Sequence, residues 1–330
     1  MDTPFEEYLD AISSNRPLKD IIGQHFLRGT PCFFAMSYFA LYNDYIYPKG
    51  GVGALIDTLA GAIRARGGEI RCETEVTRID AKARTVTDSA GDSYGYTKLI
   101  WAGDLKALYT LSGEEGLGPK DRASYARRKE AVLGHRGAES VFSVFAAVDL
   151  PPAAFAEAAS GHVFFTPDRR GLGTIHTAEV RDLLRRWDTV RKEELFAWLH
   201  RFCAYNTFEI SIPALRDPDA APPGRTGIIV SALFDYELTE RIRASGWYEE
   251  FKSRVEDEFI GTLSSSLYPG IDKKILVRFS ASPLSIRERV GSSEGSIVGW
   301  SFEEDIPAVT DMFRMADSVK IGRASCRERV

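Results

Sequence analysis

The residue types that most often carry out chemistry are scattered along this chain. The five histidines are His25, His135, His162, His176 and His200, and their spacing is not that of a metal site. The four cysteines, Cys32, Cys72, Cys203 and Cys326, include no CxxC pair, so neither a zinc site nor a disulfide framework is indicated. No GxSxG motif supports a Ser-His-Asp hydrolase. The sequence therefore singles out no catalytic residue and no metal site.

Aromatic residues are concentrated near the N-terminus. Residues 33–47 contain seven aromatic side chains, far above the 11% average of the chain. Three interpretations remain open for this run: an ordinary core, a wall of an apolar substrate tunnel, or a surface that docks on a membrane.

Glycines punctuate the next stretch, residues 48–104. Val52, Leu55, Leu59 and Ile63 recur at helical spacing and predict a helix with one buried stripe, ended by Gly67-Gly68. Alternating residues then predict a strand over 70–79, and an apolar run predicts a short strand over 98–102. Gly51-Val52-Gly53 superficially resembles a dinucleotide-binding loop. Its third glycine is missing, so this interpretation is rejected.

The order of these motifs resembles the flavin-dependent amine-oxidase superfamily, and within it the phytoene desaturase, carotenoid isomerase and retinol saturase branch. The matching motifs are Pro48-x-Gly50-Gly51, Gly67-Gly68-x-Ile70, Glu75-Val76-x-x-Ile79 and Leu99-Ile100-Trp101-Ala102-x-Asp104. The resemblance implies FAD as the cofactor. It also implies that the Val76 backbone binds the adenine, that the Ala102 to Asp104 turn lies near the dinucleotide, and that the Gly-Gly turn leads towards the flavin ring. The cofactor-binding residues expected from it are Gly50, Gly51, Glu75, Val76, Ala102 and Asp104.

Two motifs in the second half resemble the same branch. One runs from Glu209 to Pro218. The other runs from Ser282-Pro283 to Trp300 and forms, in the family, a loop facing the flavin and the substrate cavity. Ser282 replaces a threonine that is common in the family. On this resemblance Arg287, Glu288 and Glu294 are the best polar candidates for the cavity.

The expected fold class is α/β to α+β, an incomplete FAD/NAD(P)-binding (Rossmann-like) domain with a mixed-sheet substrate domain backed by helices. Residues 1–47 and 111–300 are assigned to the substrate domain and 48–110 to the FAD-binding domain. Residues 301–320 resemble the lead-in to the family's last flavin segment, and 321–330 resemble a translated sequencing adapter. No GxGxxG loop occurs, so we expect a fragment of a larger enzyme that is inactive by itself.

Composition narrows the possible partners. The net charge of −5 and the lack of a basic stripe argue against nucleic acid. No signal peptide or run of 18 apolar residues occurs, which favours a cytoplasmic protein and leaves peripheral membrane contact open. The expected partner is an apolar small molecule, and the oligomeric state is not indicated.

Three functions follow. The first is an FAD-dependent oxidoreductase that desaturates, saturates or isomerises a carotenoid or retinol-like isoprenoid. The second is a flavin oxidase acting on amines or porphyrinogens, which a narrow polar cavity would favour. The third is a non-catalytic module that binds an apolar ligand or a partner.

Overall fold

The computed structural model describes residues 3–41 and 46–303. The segments 304–320 and 321–330, for which the sequence suggested a flavin lead-in and an adapter, lie outside the described residues. Residues 42–45 of the aromatic run also lie outside them.

A five-stranded sheet organises the larger part of the molecule. Its strands are β4 (Ser140–Val148), β5 (His162–Phe165), β6 (Phe208–Ser211), β7 (Thr226–Phe234) and β8 (Ile275–Ala281). Their order in the sheet is β5-β6-β7-β4-β8, and each described pair is antiparallel.

One face of this sheet carries the main core. Alternate residues of β4, such as Phe142, Val144 and Val148, are completely buried, as a half-covered strand requires. They form one apolar cluster with residues of two long helices, α9 (Lys192–Tyr205) and α11 (Tyr248–Ser264). Each fully buried side chain of this size contributes about 1.5–3 kcal/mol through the hydrophobic effect. The opposite face of the sheet is therefore not part of this core.

Smaller helices surround the sheet. They are α7 (Ala153–Ala156), α8 (Val180–Arg185), α10 (Tyr236–Ala244) and α12 (Pro283–Val290). A π-helix, Ile175–Glu179, leads into α8. The indole N–H of Trp198 donates to the Ile175 carbonyl at 2.9 Å, and this contact with α9 favours the helical backbone over an extended one.

The second sheet is a small antiparallel meander. It consists of β1 (Val76–Asp80), β2 (Thr85–Asp88) and β3 (Ser93–Gly95), followed by α5 (Leu105–Leu111) and α6 (Pro119–Gly134). The predicted strand 70–79 is wrong in its first half, because pairing with β2 begins at Val76 and Glu73 has a positive φ of 54°. The predicted strand 98–102 is also wrong, since those residues form no described strand pairing.

Helix α4 (Gly53–Ala65) lies before this meander and ends as predicted, with Gly67 at a φ of 76°. Its apolar stripe is not buried, however. Leu55 and Leu59 are each 55% exposed and Ile63 is 46% exposed. The helical period was correctly recognised, but no described element packs on that stripe.

The N-terminal segment forms three helices, α1 (Phe5–Ile12), α2 (Arg16–Gly23) and α3 (Cys32–Leu41). Phe5, Leu9, Phe26 and Ala35 form a small core of their own. The segment is tied to the main sheet through Gln24, whose side-chain amide donates to the Tyr205 carbonyl at 3.0 Å. No described helix is both long enough and apolar enough to cross a bilayer.

Candidate functional site

Asp104 connects the start of α5 to the loop that follows α12. Its Oδ1 accepts a hydrogen bond from the Ala107 N–H at 3.0 Å and so caps α5. Its Oδ2 accepts from the Ser293 N–H at 2.7 Å, and the Ser293 hydroxyl donates to Oδ1 at 3.0 Å. Burial by itself would raise the pKa of Asp104, but these hydrogen bonds stabilise the anion and hold the pKa below its ordinary value. The carboxylate is thus ionised and holds the loop that follows α12.

That loop, residues 291–300, has a constrained backbone. Glu294 is left-handed, with φ 55° and ψ 26°, which is uncommon for a residue with a Cβ atom. Its Oε2 accepts a hydrogen bond from the Gly137 N–H at 2.7 Å. At Gly295, φ is 61° and an added Cβ would lie 2.3 Å from the Pro283 carbonyl oxygen, so this position requires glycine. The loop is therefore held in one conformation.

A cavity of about 300 Å³, here called the Asp104 cavity, is lined by residues of both the Asp104 turn and this loop. Gly137, Ser296 and Gly299 contribute small walls, and Trp300 contributes an aromatic one. The Ser292 hydroxyl is buried there without a hydrogen-bond partner among the described residues. Because buried hydroxyls are normally satisfied, this atom points to a bound group or water.

The Gly50-Gly51 turn is anchored by Asp217. Both glycines have positive φ, 83° and 78°, which explains the residue type. The Gly50 N–H donates to Oδ2 of Asp217 at 2.7 Å, and Asp217 is 5% exposed. Two motifs that are far apart in the sequence therefore meet.

The remaining predicted cofactor residues lie elsewhere. Val76 opens β1 opposite Asp88, and the Glu75 carbonyl accepts from the Ser89 N–H at 2.8 Å. Ala102 is exposed in irregular backbone. The structure thus places the six residues on three parts of the chain, and their role in binding FAD stays a prediction.

Two of the polar cavity candidates lie at the contact between α12 and α10. Arg287 and Glu288 lie on the exposed side of α12 and pair with α10, Arg287 with Glu240 at 2.9 Å and Glu288 with Arg243 at 3.1 Å. Neither residue lines the Asp104 cavity, and their place in a substrate cavity stays a prediction. Glu294, the third candidate, belongs to the loop that borders the cavity.

A second candidate site is the open face of the five-stranded sheet, which lies opposite α9 and α11. The strand register aligns one row of side chains across all five strands, and a second row lies next to it. The first row is Phe279, Phe145, Ile229, Ser211 and His162; the second is Ala281, Ser143, Ser231, Glu209 and Phe164.

The two ends of the open face differ in chemistry. At the β8 end, the Phe145 and Phe279 rings stack with centroids 4.9 Å apart, and Phe279 is 61% exposed. At the β5 end, Nε2 of His162 lies 3.4 Å from Oε1 of Glu209. Burial raises the pKa of Glu209, whereas burial, and then the nearby Arg216 cation, lower the pKa of His162.

Part of the aromatic run reaches this polar end. Tyr38 packs edge-on against Phe26 in the N-terminal core, with ring centroids 5.4 Å apart. The Phe164 ring lies 4.7 Å from His25 and 6.5 Å from Tyr38. Core packing is thus confirmed for Tyr38, whereas Phe34 is 44% exposed.

Sequence reasoning missed a buried charged cluster. Oε1 of Glu139 lies 2.9 Å from Nε2 of His176 and 3.1 Å from Nε of Arg28, and Oε2 accepts from the Arg28 N–H at 2.7 Å. Burial opposes ionisation of Glu139, yet hydrogen bonding and charge from these partners lower its pKa to about 2. The three residues are distant in sequence and share no motif, so no local signal could have revealed the cluster.

Comparison with known proteins defines the class. Residues 25–241 match the family model described as flavin containing amine oxidoreductase. This match covers more than half of the chain, so the chain belongs to that family. The expectations of the flavin amine-oxidase superfamily and of FAD as its cofactor are confirmed.

The individual relatives share little sequence identity with this chain. Prolycopene isomerases 1 and 2 of an Oncidium hybrid cultivar, both described as chloroplastic, are 23% identical to this chain over 260 residues. The alignment covers 76% of this chain and 37% of each relative. The chain therefore spans little more than a third of the length of these curated relatives.

Solved structures confirm the expected fold class. An oxidoreductase from Methanosarcina mazei aligns with a TM-score of 0.54 at 16% identity, covering 84% of this chain and 56% of that one. An engineered putrescine oxidase aligns with a TM-score of 0.52 at 15% identity, covering 86% and 54%. At these identities the likeness concerns the fold alone.

The described residues fit a portion of the cofactor. The Asp104 cavity offers small walls and the unsatisfied Ser292 hydroxyl, which suits one edge of a polar ring system. The sequence contains no GxGxxG loop, so it lacks that means of holding a diphosphate at a helix N-terminus.

Proposed function

We propose that this chain supplies the substrate-binding part, and a portion of the cofactor-binding part, of an FAD-dependent oxidoreductase that acts on an apolar isoprenoid. FAD supplies hydride exchange with a substrate carbon when it is bound. The assignment of 48–110 to the cofactor domain and of 1–47 and 111–300 to the substrate domain is part of this proposal.

The observation that carries the proposal is the apolar end of the open face. Phe279 and Val277 are 61% and 59% exposed, and the stacked Phe145 ring extends the surface inward. Exposed apolar side chains in contact with one another mark a binding surface more often than isolated ones do. A sheet face edged with stacked aromatic rings suits a long, flat polyene.

In this proposal the residues of this chain position the substrate and the cofactor relative to each other. The stacked phenylalanines would align the apolar substrate and exclude water from it. Asp104 holds the 291–300 loop through Ser293, and this loop would separate the substrate from the cofactor edge. Desaturation, saturation and isomerisation would all need this arrangement. The geometry therefore supports an isoprenoid substrate and does not distinguish among the three reactions.

An amine substrate is the second candidate, and Glu209 is the observation that favours it. A carboxylate at one end of the open face could pair with an ammonium group. The stacked apolar end has no role in binding a short amine, and for this reason the isoprenoid is preferred. A non-catalytic module that binds the same ligand is the third candidate.

Ligand titration of the 330-residue chain tests the proposal. We expect all-trans-retinol fluorescence to saturate on the parent chain, and Phe279→Asp to weaken binding about tenfold or more, because the charge would be placed beneath the ligand. Val290→Asp is the matched control, since Val290 is 72% exposed on α12; it should bind as the parent does. Absence of saturable binding, or equal binding by Phe279→Asp, would refute the isoprenoid assignment.

A further inference from the structure

Residues 299–303, here called the strap, run from the Asp104 cavity to the buried charged cluster. At one end, Trp300 lines the Asp104 cavity. At the other end, Oε2 of Glu303 lies 3.5 Å from Nε of Arg28, a member of the cluster. The strap therefore connects the cavity to the cluster.

The first part of the strap has few contacts. Two backbone hydrogen bonds pair it with residues 136–138, one to the Gly299 carbonyl at 2.8 Å and one from the Ser301 N–H at 3.0 Å. Between them, the Trp300 ring stacks on His135, with ring centroids 4.9 Å apart. A pairing of two extended segments over so few residues is marginally stable by itself. The position of Trp300 therefore depends on what holds the strap further along.

Two arginines hold the last residue of the strap. Nη2 of Arg181, on α8, donates to Oε1 of Glu303 at 2.8 Å, and Arg28 approaches Oε2 from the N-terminal segment. Phe302 lies directly against the same segment, because a Cβ atom on Gly29 would be 2.6 Å from the Phe302 carbonyl oxygen. Glu303 thus binds the end of the strap to two separate elements through charged groups.

We propose that Glu303 is a positioning residue: its ion pairs with Arg181 and Arg28 hold the end of the strap and so keep Trp300 in place as the aromatic wall of the Asp104 cavity. The inference rests on the proposed function where it assigns this cavity to an edge of the cofactor, which a flat aromatic wall would orient. The position of Trp300 itself can be measured without cofactor or substrate.

The effect of losing the Glu303 carboxylate should be local. The Arg181 side chain is 62% exposed and that of Glu303 is 33% exposed, and ion pairs with such exposure contribute little to overall stability. Arg28 keeps Glu139 and Asp235 as partners when Glu303 is replaced, so its charge stays compensated. Glu303→Gln should therefore leave the molecule folded and release the strap alone.

The fluorescence of Trp300 in the 330-residue chain tests the proposal. The chain has five tryptophans, so the Trp300 emission is the difference between each protein and the same protein carrying Trp300→Phe. Its quenching by acrylamide is measured in the parent, in Glu303→Gln, in Arg181→Lys and in Glu179→Gln. Glu179 is the matched control, because its side chain is 35% exposed and forms a similar ion pair with Arg201 at 2.6 Å.

We expect Glu303→Gln to raise the acrylamide quenching constant of Trp300 about twofold or more, because a segment that loses one of few contacts opens locally. The urea midpoint of unfolding should stay close to that of the parent. Arg181→Lys should quench as the parent does, since a single nitrogen of Arg181 makes the 2.8 Å contact and lysine keeps the charge. Glu179→Gln should also quench as the parent does.

Three results would overturn the positioning role. They are parent-like quenching in Glu303→Gln, an equal increase in Glu179→Gln or Arg181→Lys, and an increase in Glu303→Gln accompanied by a general loss of stability. The last of these would show that Glu303 supports the fold as a whole and not the strap. None of them bears on isoprenoid binding, which the retinol titration tests separately.

Discussion

Glu139 joins three parts of the chain through one carboxylate. Arg28 reaches it from the N-terminal segment, and His176 reaches it from the π-helix. Arg28 also lies 3.5 Å from Asp235, the residue that caps α10. Removing one partner of such a buried network leaves an uncompensated charge, which usually costs more than the intact pair contributes.

The cluster predicts a dependence of stability on acid. The pKa of Glu139 is lowered from 4.5 to about 2 in the folded protein. The stabilisation is therefore complete above the unfolded pKa and is lost as the pH falls from about 4.5 towards 2, by roughly 3 kcal/mol. Urea unfolding of the parent and of Glu139→Gln, measured between pH 5 and pH 2.5, should show a steeper loss in the parent. Parallel curves would contradict the assignment. Glu249→Gln, at an exposed position, serves as the control.

Val76 carries the second prediction at this scale. In the FAD-containing enzyme, Val76→Ala should weaken FAD binding only modestly, whereas Val76→Pro should weaken it severely. Proline removes a backbone N–H and disturbs the start of β1, while alanine removes only side-chain contacts. Flavin titration compares the variants, with folding checked by circular dichroism. Parent-like affinity in a folded Val76→Pro variant would place this strand away from the cofactor.

At the scale of elements, the 291–300 loop illustrates how backbone geometry selects residues. Gly295 adopts a positive φ directly against the Pro283 carbonyl, and the Ser140 hydroxyl donates to the Gly295 carbonyl at 2.6 Å. The loop thereby keeps Ser293 in reach of Asp104. Its conformation depends on β4, α12 and the Asp104 turn together.

Alanine substitutions at two glycines test this constraint. Gly295→Ala should lower the free energy of unfolding by about 1–3 kcal/mol, because the new Cβ meets backbone and φ is unfavourable. Gly261→Ala, on an exposed position of α11 with nothing within 4 Å of its Cβ, should raise stability by about 0.5–1 kcal/mol. Urea denaturation measures both. Similar effects of the two substitutions would show that the loop is not constrained as described.

At the scale of the whole molecule, the exposed stripe of α4 and the open sheet face both present apolar surface. The helical period predicts a buried stripe on α4, yet Leu55 and Leu59 are exposed. The relatives are longer than this chain, which spans 37% of the prolycopene isomerases. The alignment leaves the rest of those relatives unmatched.

This leads to a prediction for the purified chain. We expect the 330-residue chain by itself not to retain FAD, because it contains no glycine-rich loop to hold the diphosphate at a helix N-terminus. Absorbance at flavin wavelengths after desalting, referred to protein concentration, is the measurement. Stoichiometric flavin in the purified protein would show that the described residues suffice.

Local patterns in the sequence predicted much of the fold. The apolar period of Val52, Leu55, Leu59 and Ile63 predicts helix α4, and Gly67-Gly68 predicts where it ends. Family motifs indicated the flavin superfamily, because these motifs are short and contiguous. Turn chemistry and periodicity are properties of neighbouring residues, and the sequence displays them directly.

Only the tertiary structure decided which distant residues meet. It joined Asp104 to Ser293 and Glu139 to Arg28 and His176. It also shortened the strand predicted over 70–79, because β2 pairs with it only from Val76. The rows of the open face depend on the register of five strands. These features arise from pairing between segments far apart in the chain, and neither composition nor local spacing encodes that pairing.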